Sequence, residues 1–386
     1  MSPSTHVAWF GVGHAGIYML RTMLAGLPDR PDTVAIHVRD DTFEGLPATR
    51  HYHLRGVYEG LGSAGDVATV RAAARAARAE LADLVRDYRA VFIIAGLGGG
   101  TGSGISPVLA EVARELGVFT VGIVTLPFFA EGTRKRQIAN EARAALAQTC
   151  DVLIELSHQR IMERIPDGTP LAMAFDLVGS TVGRSLHLLW RLLSGHGILV
   201  LDLADLRRLV PQTGTPVSLA AVEAQGSDRV SSAVRELFSS PLLDHGAMLS
   251  KAPAVLLGMV GGEDLTLREL NELSMAVADQ LPVESDLTLG AVIDPAFADR
   301  LGVVLLIAES TPPLATPPPA EVAPAQEPAA VASGPGERKP LQPEFEWMEE
   351  EKPRIFQATP TTSYQGVDLD IPTFLRRGIR LSRPYR

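Results

Sequence analysis

A glycine-rich segment between an apolar run and an amphipathic run constrains the fold of this chain most strongly. Five of the seven residues in Gly98–Gly104 are glycine. The preceding Val91–Gly96 is continuously apolar, which is typical of a strand buried on both faces. Ile105–Leu116 then places apolar residues on one helical face, and Val118–Thr125 is again β-branched. This strand, loop, helix, strand order predicts an α/β fold with a doubly wound, mostly parallel sheet.

The same loop predicts a phosphate site. Ligands of such sheets bind beyond the carboxyl ends of the strands, which is where this loop lies. Its glycines let the backbone N–H groups approach an anion, and the following helix adds its N-terminal partial charge. Thr101 and Ser103 supply hydroxyl donors. A flexible glycine linker is the alternative interpretation.

A second glycine pattern, GxGxxG, occurs at Gly11, Gly13 and Gly16 after the strand candidate Val7–Gly11. By itself it is weak evidence for a dinucleotide-binding fold. The chain has no lysine of the P-loop type after either glycine loop, which disfavours an ordinary P-loop enzyme. An NAD-dependent Rossmann enzyme is a possible interpretation, but it leaves the second glycine loop unexplained.

Composition excludes several function classes. Among 386 residues, 35 Lys and Arg stand against 45 Asp and Glu, so the net charge of −10 argues against bulk nucleic-acid binding. The single cysteine, Cys150, cannot form an internal disulfide or a multi-thiolate metal site. No apolar run approaches the roughly 18 residues of a membrane span, and no Lys or Arg precedes Arg21, unlike a secretory signal. We expect a cytoplasmic protein.

The pattern of residue types changes along the chain. Alternating β-branched and Ala/Leu-rich stretches extend to about residue 210, and a smaller α+β pattern follows, with strand candidates at Ala254–Val260 and Gly302–Ile307 and a helix at Thr266–Leu281. Thr311–Pro340 is rich in Pro and Ala and lacks aliphatic periodicity, which predicts a disordered linker. We expect a nucleotide-binding domain with a central helix at 1–210, an α+β domain at 211–308, a linker at 309–363 and a tail peptide at 364–386.

Several segments, in order, resemble the tubulin/FtsZ superfamily. AGLGGGTGSG resembles its signature loop, EGLGSAGD its second phosphate loop, and FFAEGTRKR its ribose-contacting loop. LDLADLRRLV is similar to the segment that completes the neighbouring subunit's active site, and SSPLL fits the bacterial C-terminal domain. DLDIPTFLRR is similar to the tail peptide that binds membrane-tethering partners. The segments are Ala95–Gly104, Glu59–Asp66, Phe128–Arg136, Leu201–Val210, Ser239–Leu243 and Asp368–Arg377.

The resemblance implies a GTPase that binds GTP or GDP with Mg²⁺, assembles head to tail into filaments and forms the bacterial division ring. Asp202 and Asp205 would be the catalytic carboxylates, inserted into the site of the next subunit; a cap on the turn after a strand is the alternative role. Glu131 and one of Arg134, Lys135 or Arg136 would meet the ribose, or else these residues form a solvated charge cluster. The residues expected to bind nucleotide are Gly11, Gly13, Gly16, Gly62, Ser63, Gly98, Gly99, Gly100, Thr101, Gly102, Ser103, Gly104, Glu131, Lys135, Phe175 and Gly179.

The chain departs from the family pattern where the base would be recognised. Ile17 and Tyr18 stand where the family has an asparagine, and Gly179 stands at the amide position four residues after the stacking aromatic, Phe175. Val200 replaces an asparagine two residues before Asp202. A lost base contact costs about 1–3 kcal/mol. A weakly or non-catalytic paralogue that scaffolds filaments of a principal FtsZ is therefore the alternative function.

The sequence of the tail predicts that the chain binds partners other than a second copy of itself. The resemblance implies that FtsA- or ZipA-like tethers bind it through Asp370, Ile371, Pro372, Phe374 and Leu375. Membrane contact would be indirect, or weak through a basic end that either touches anionic lipid or only aids solubility. Its arginines are Arg376, Arg377, Arg380, Arg383 and Arg386.

Overall fold

The computed structural model describes residues 6–27, 29–43, 46–58, 62–163, 165–166, 168–195, 197–210, 212–309, 363–364 and 367–368. The chain divides into two compact units, 1–320 and 321–386. In the second unit, β12 (Ser363–Tyr364) pairs antiparallel with β13 (Val367–Asp368). Most of the predicted linker and all five expected tether-binding residues lie outside the described residues.

One continuous sheet organises the first unit. Its described strands lie in the order β3-β2-β1-β4-β5-β6-β8-β11-β9-β10-β7. The half from β3 to β6 is parallel, which confirms the predicted doubly wound topology. The strands are β1 Val7–Val12, β2 Asp32–His37, β3 Arg50–His53, β4 Ala90–Gly96, β5 Phe119–Leu126, β6 Val152–Ser157, β7 Gly197–Leu199, β8 Pro216–Gln225, β9 Ala254–Gly261, β10 Asp286–Ile293 and β11 Arg300–Ala308.

Helices cover both faces of this sheet, and the longest of them, α7, is the predicted central helix. It spans 24 residues and contacts α1 as well as β8, β9 and β11. The described helices are α1 Gly13–Leu24, α2 Val67–Ala76, α3 Arg78–Val85, α4 Gly100–Glu115, α5 Thr133–Thr149, α6 His158–Met162, α7 Leu171–Ser194, α8 Leu203–Arg208, α9 Arg229–Phe238 and α10 Leu267–Ala278.

Alternate residues of the central strands feed two cores, one on each face of the sheet. Phe92 of β4 belongs to the core that contains α7, whereas Ile93 belongs to the core under α4. Trp9 of β1 stacks on Phe92 with ring centroids 4.3 Å apart and meets Trp190 of α7 edge-on at 6.2 Å. Trp190 is 4% exposed and belongs to the same core as Phe92. These aromatic contacts fix the long helix against the parallel half of the sheet.

The sheet joins the two predicted domains directly. β6 pairs in parallel with β8, with Leu153 opposite Pro216 and Ile154 opposite Val217. Beyond β8 the pairing becomes antiparallel to β11 and then to β9. The predicted boundary at 210/211 lies between α8 and β8, at the point where the chain enters this second half of the sheet.

Helix α4 begins earlier than the sequence predicts. It starts at Gly100 rather than near Ile105, so most of the glycine run forms its first turns. A Cβ at Gly104 would lie 2.6 Å from Cγ1 of Val70, and a Cβ at Gly100 would lie 2.6 Å from Oγ of Ser63. The glycines are therefore helical residues whose missing side chains allow α2 and its preceding loop to pack against α4.

Candidate nucleotide site

A cavity of about 660 Å³ lies at the carboxyl ends of the parallel strands. It extends from the end of β2, across β1, β4 and β5, to the end of β6, which is the location that the topology favours for a ligand. Ten residues that the sequence predicts to bind nucleotide line it: Gly13, Gly62, Ser63, Gly99, Gly100, Thr101, Gly102, Glu131, Lys135 and Phe175.

The first turn of α4 forms the floor of the cavity. Gly99 is the residue before the helix, and no side chain caps the helix N-terminus there. Gly98 adopts a left-handed φ of 99° and donates its N–H to Oγ of the buried Ser103 at 2.9 Å. This bond directs the Ser103 hydroxyl to the loop rather than the cavity. The N-terminus of α4 remains available to an anion.

The two glycine loops are packed against each other. Gly13 has φ of 73°, and a Cβ there would lie 3.1 Å from N of Gly102. A Cβ at Gly16 would lie 3.1 Å from the carbonyl carbon of Ile94 in β4. Gly11, Gly16 and Gly104 therefore permit close packing of α1 on β1 and β4 and of α2 on α4, and they do not line the cavity.

The opposite end of the cavity combines an aromatic surface with an ion pair. Phe175, in the first turns of α7, meets Phe128 edge-on with ring centroids 5.4 Å apart. Glu131 accepts from Nζ of Lys135 at 3.0 Å and from the backbone N–H of Phe128 at 3.2 Å. Both charged residues line the cavity, although Lys135 is half exposed. Thr125, at the end of β5, places a buried hydroxyl here for which no hydrogen-bond partner occurs among the described residues.

Several lining residues are absent from the sequence-based prediction. The main ones are His37 at the end of β2, Arg39 in the loop that follows, His14 in α1 and His158 at the start of α6. Burial lowers the pKa of His158, so this side chain, which lines the cavity, is neutral at pH 7. The strand-end rule locates all four once β1, β2 and β6 are delimited.

Tyr18 and Gly179, two of the positions at which the sequence departs from the family pattern, contact each other. A Cβ at Gly179 would lie 2.7 Å from Cδ1 of Tyr18, so the tyrosine ring occupies the space of the missing side chain. The Tyr18 hydroxyl donates to Oδ1 of Asp176 at 3.1 Å. Neither Tyr18 nor Gly179 lines the cavity. The two departures are therefore one compensated contact between α1 and α7.

Asp202 and Asp205 lie outside the cavity and cap α8. Oδ1 of Asp202 accepts from N of Ala204 at 2.7 Å and from N of Asp205 at 3.1 Å. Oδ2 of Asp205 accepts from N of Asp202 at 2.9 Å, which completes a capping box. The preceding Val200 is 64% exposed. Within one chain, the two carboxylates thus have the alternative capping role, and they are held rigidly at an exposed helix start.

The cavity offers few carboxylates to a metal ion. Glu131 is the one carboxylate among its described lining residues, and it is already paired with Lys135. In the part of the chain that the structure describes, no group of three His, Cys, Asp or Glu side chains could hold a metal ion. Among the same residues, no helix is long and apolar enough to cross a membrane.

Comparison with known proteins agrees with this architecture. Residues 6–166 match the model of the Tubulin/FtsZ family, GTPase domain, and residues 218–310 match that of the FtsZ family, C-terminal domain. The chain is 31% identical over 289 residues to the cell division protein FtsZ of Caulobacter vibrioides, covering 75% of this chain. The match spans only 56% of the length of that relative.

Solved structures extend the comparison. The empty FtsZ dimer of M. jannaschii is 30% identical with a TM-score of 0.71, over 79% of this chain and 88% of that chain. CetZ2 from Haloferax volcanii, a GTPγS-bound protofilament, shares the fold at 20% identity and a TM-score of 0.67, over 80% and 95% of the two chains. The family models and the 30% identity over most of an FtsZ chain lead to one conclusion: the chain belongs to the tubulin/FtsZ family.

Proposed function

We propose that the chain is a GTP-hydrolysing, tubulin-like protein that polymerises head to tail into filaments of the bacterial division ring. One observation carries the proposal. The cavity has a phosphate cradle at the N-terminus of α4 and an aromatic surface at Phe175, while Asp202 and Asp205 are fixed outside it. A second copy is then needed to bring those carboxylates to a bound nucleotide.

Different regions of the cavity suit the phosphates, the ribose and the base of a nucleotide. Backbone N–H groups at Gly99–Gly102 bind the phosphates, assisted by the helix dipole. Glu131 and Lys135 face the ribose, and the buried Thr125 hydroxyl gains a partner from the ligand. Phe175 stacks on the base. GTP and GDP are the ligands we propose.

Mg²⁺ fits this site only when it is bound to the phosphates of the nucleotide. The described lining residues offer no set of carboxylates for it, so phosphate oxygens and water would supply its ligands, as is common for this ion. When bound, it offsets the negative charge that develops during phosphoryl transfer.

Hydrolysis is completed at the junction between two copies. The capping bonds engage Oδ1 of Asp202 and Oδ2 of Asp205, so the second oxygen of each carboxylate is not used by the capping box. Rigidly placed carboxylates can orient and polarise the attacking water at the terminal phosphate. The helix cap and the catalytic role are thus compatible, with the cap fixing the geometry of the carboxylates.

Cellular role and partners extend the proposal. The matched Caulobacter relatives are cell division proteins, which supports cytoplasmic assembly at mid-cell. The segment DLDIPTFLRR would provide apolar anchors for an FtsA- or ZipA-like tether. A truncation after residue 363 tests this: filaments should still form, and binding to the tether should be lost.

The alternative function is a weakly catalytic paralogue that scaffolds filaments of a principal FtsZ. The Tyr18–Gly179 contact favours it, since the tyrosine ring lies where the family has base-recognising amides. In that case nucleotide would bind without strong base preference, and turnover would be low.

Phosphate release across a protein concentration series, with Mg²⁺ and either GTP or ATP, tests the proposal. Turnover per chain should rise steeply above a threshold concentration with GTP. Asp205→Asn retains a cap acceptor but removes the carboxylate charge, so it should bind GTP normally and lose turnover. Asp244→Asn is the matched control, because Asp244 is exposed with a left-handed φ that asparagine tolerates.

The outcomes are distinct. Turnover that does not depend on concentration would contradict a shared active site. Normal turnover in Asp205→Asn would contradict the catalytic role of that carboxylate. Equal binding of GTP and ATP with negligible turnover would instead support the scaffold alternative.

A further inference from the structure

We infer that Arg39 is a specificity-determining residue of the site, whose guanidinium binds the terminal phosphate of a nucleoside triphosphate. The inference rests on the proposed nucleotide-binding function and adds a residue to it. Its consequence is that this chain distinguishes triphosphate from diphosphate by a fixed cation of its own.

The backbone at Arg39 is anchored at the end of β2. His37, the last residue of that strand, is 6% exposed, and its Nδ1 accepts the backbone N–H of Arg39 at 3.0 Å. Oγ1 of Thr42 lies 3.2 Å from the same nitrogen. His37, Arg39 and Thr42 all line the cavity. The buried imidazole therefore holds the start of this loop at the cavity wall.

The side chain of Arg39 extends toward the phosphate cradle. A Cβ added at Gly62 would lie 3.6 Å from Cδ of Arg39. The next residue, Ser63, is packed against Gly100 in the first turn of α4. The arginine thus borders the 62–64 loop, and that loop borders the helix N-terminus where an anion is favoured.

The order of the strands determines which lining residues lie at which end of the cavity. Arg39 comes from the β2 side, the cradle from β1 and β4 in the middle, and Pro127, Glu131 and His158 from the β5 and β6 side. Phe175 meets Phe128, which follows β5. A nucleotide with its base at Phe175 and its phosphates on α4 therefore points its terminal phosphate toward Arg39.

The chemistry of the residue suits that position. A guanidinium presents a planar fork of N–H donors that pairs with two phosphate oxygens at once. Glu131 and Lys135 form an ion pair at the other end of the cavity, and Arg39 places a cationic side chain at the end where the ligand is most negative. The described lining residues offer little to bind Mg²⁺ directly, which gives a protein cation more influence on phosphate affinity.

Equilibrium binding of fluorescent GTP and GDP analogues to Arg39→Gln, Arg39→Lys and the unmodified chain tests the inference. Arg39→Gln should weaken triphosphate binding about tenfold and leave diphosphate binding within about twofold. Arg39→Lys should recover part of the loss, as a single cation without the fork. Arg86→Gln, which removes an exposed arginine outside the cavity lining, is the charge-matched control.

The results separate this inference from the proposed function. If the unmodified chain binds neither analogue, both fail. If it binds both but Arg39→Gln retains its triphosphate affinity, or loses both ligands equally, the role of Arg39 is refuted and the nucleotide site stands. Arg39→Gln keeps the backbone bond to His37, because that bond uses the N–H of residue 39 and not its side chain.

Discussion

The close approach of α4 to the end of β4 can be tested by adding one methyl group at Gly102. A Cβ there would lie less than 3.0 Å from the carbonyl oxygen of Gly96 and 3.3 Å from its carbonyl carbon. Ordinary van der Waals contact begins at 3.4 Å, so the helix or the strand end must move by more than 0.4 Å. Both atoms belong to the backbone, so neither can rotate away.

The expected magnitude follows from two opposing effects. Overpacking of this kind costs about 1–3 kcal/mol or somewhat more. Alanine in a helix recovers up to about 1 kcal/mol relative to glycine. Gly102→Ala should therefore lower the free energy of unfolding by about 1–2 kcal/mol. Because the first turn of α4 carries the proposed phosphate site, a displacement approaching 1 Å should also reduce turnover by up to about 100-fold.

Gly99→Ala provides the matched control from the same loop. A Cβ at Gly99 would meet no atom within 4 Å, and its φ of −92° suits any residue. Its free energy of unfolding should stay within about 0.5 kcal/mol of the unmodified chain, since a weaker cap and a stiffer unfolded chain offset each other. Urea unfolding without nucleotide measures both variants. Equal midpoints for Gly102→Ala and Gly99→Ala would refute the packing argument.

Two further predictions concern α7 and the second half of the sheet. Gly179→Asn, which introduces the amide of the family pattern, should lower the free energy of unfolding by about 1–3 kcal/mol, because the new side chain meets the Tyr18 ring. Adding Tyr18→Ala to the same chain should recover most of this loss. If the effects of the two substitutions on the urea midpoint simply add, the contact is contradicted. Glu269 accepts from Nε of Arg229 at 2.7 Å, and this bond lowers the pKa of Glu269 from 4.5 to about 2. Because the folded pKa is depressed, the stabilisation is present above pH 4.5 and is lost as the pH falls toward 2. Glu269→Gln should therefore cost about 2–3 kcal/mol at pH 7 and progressively less below pH 4.5, and a difference that does not vary with pH would contradict the assignment.

The sequence predicts the nucleotide half of the fold because its signals there are local. The apolar run of β4, the glycine loop and the periodic face of α4 follow one another, and parallel sheets place such loops at one edge. The pairing of β6 with β8 is different. It joins residues some sixty positions apart, and no local pattern encodes which strand extends the sheet.

The site is predicted less completely than the fold. Glycine patterns identify the loops but cannot tell a glycine that lines the cavity, such as Gly99, from one that packs against a neighbour, such as Gly104. His37 and Arg39 are missed because β2 is short and begins with a polar residue, so its end is not marked in the sequence. The Tyr18–Gly179 pair is visible only once α1 and α7 are placed side by side.

Mixing two inactive variants tests the central claim, an active site shared between copies, most directly. Gly99→Asp keeps a good capping residue before α4 but puts a carboxylate in the phosphate cradle, so it should fold and not bind nucleotide. Asp205→Asn should bind nucleotide and not hydrolyse it. We predict that neither releases phosphate alone and that a mixture does, because some junctions pair an intact cradle with an intact Asp205. Two results together would contradict the account: a mixture that is as inactive as its components, and a turnover of unmodified chains that does not depend on their concentration.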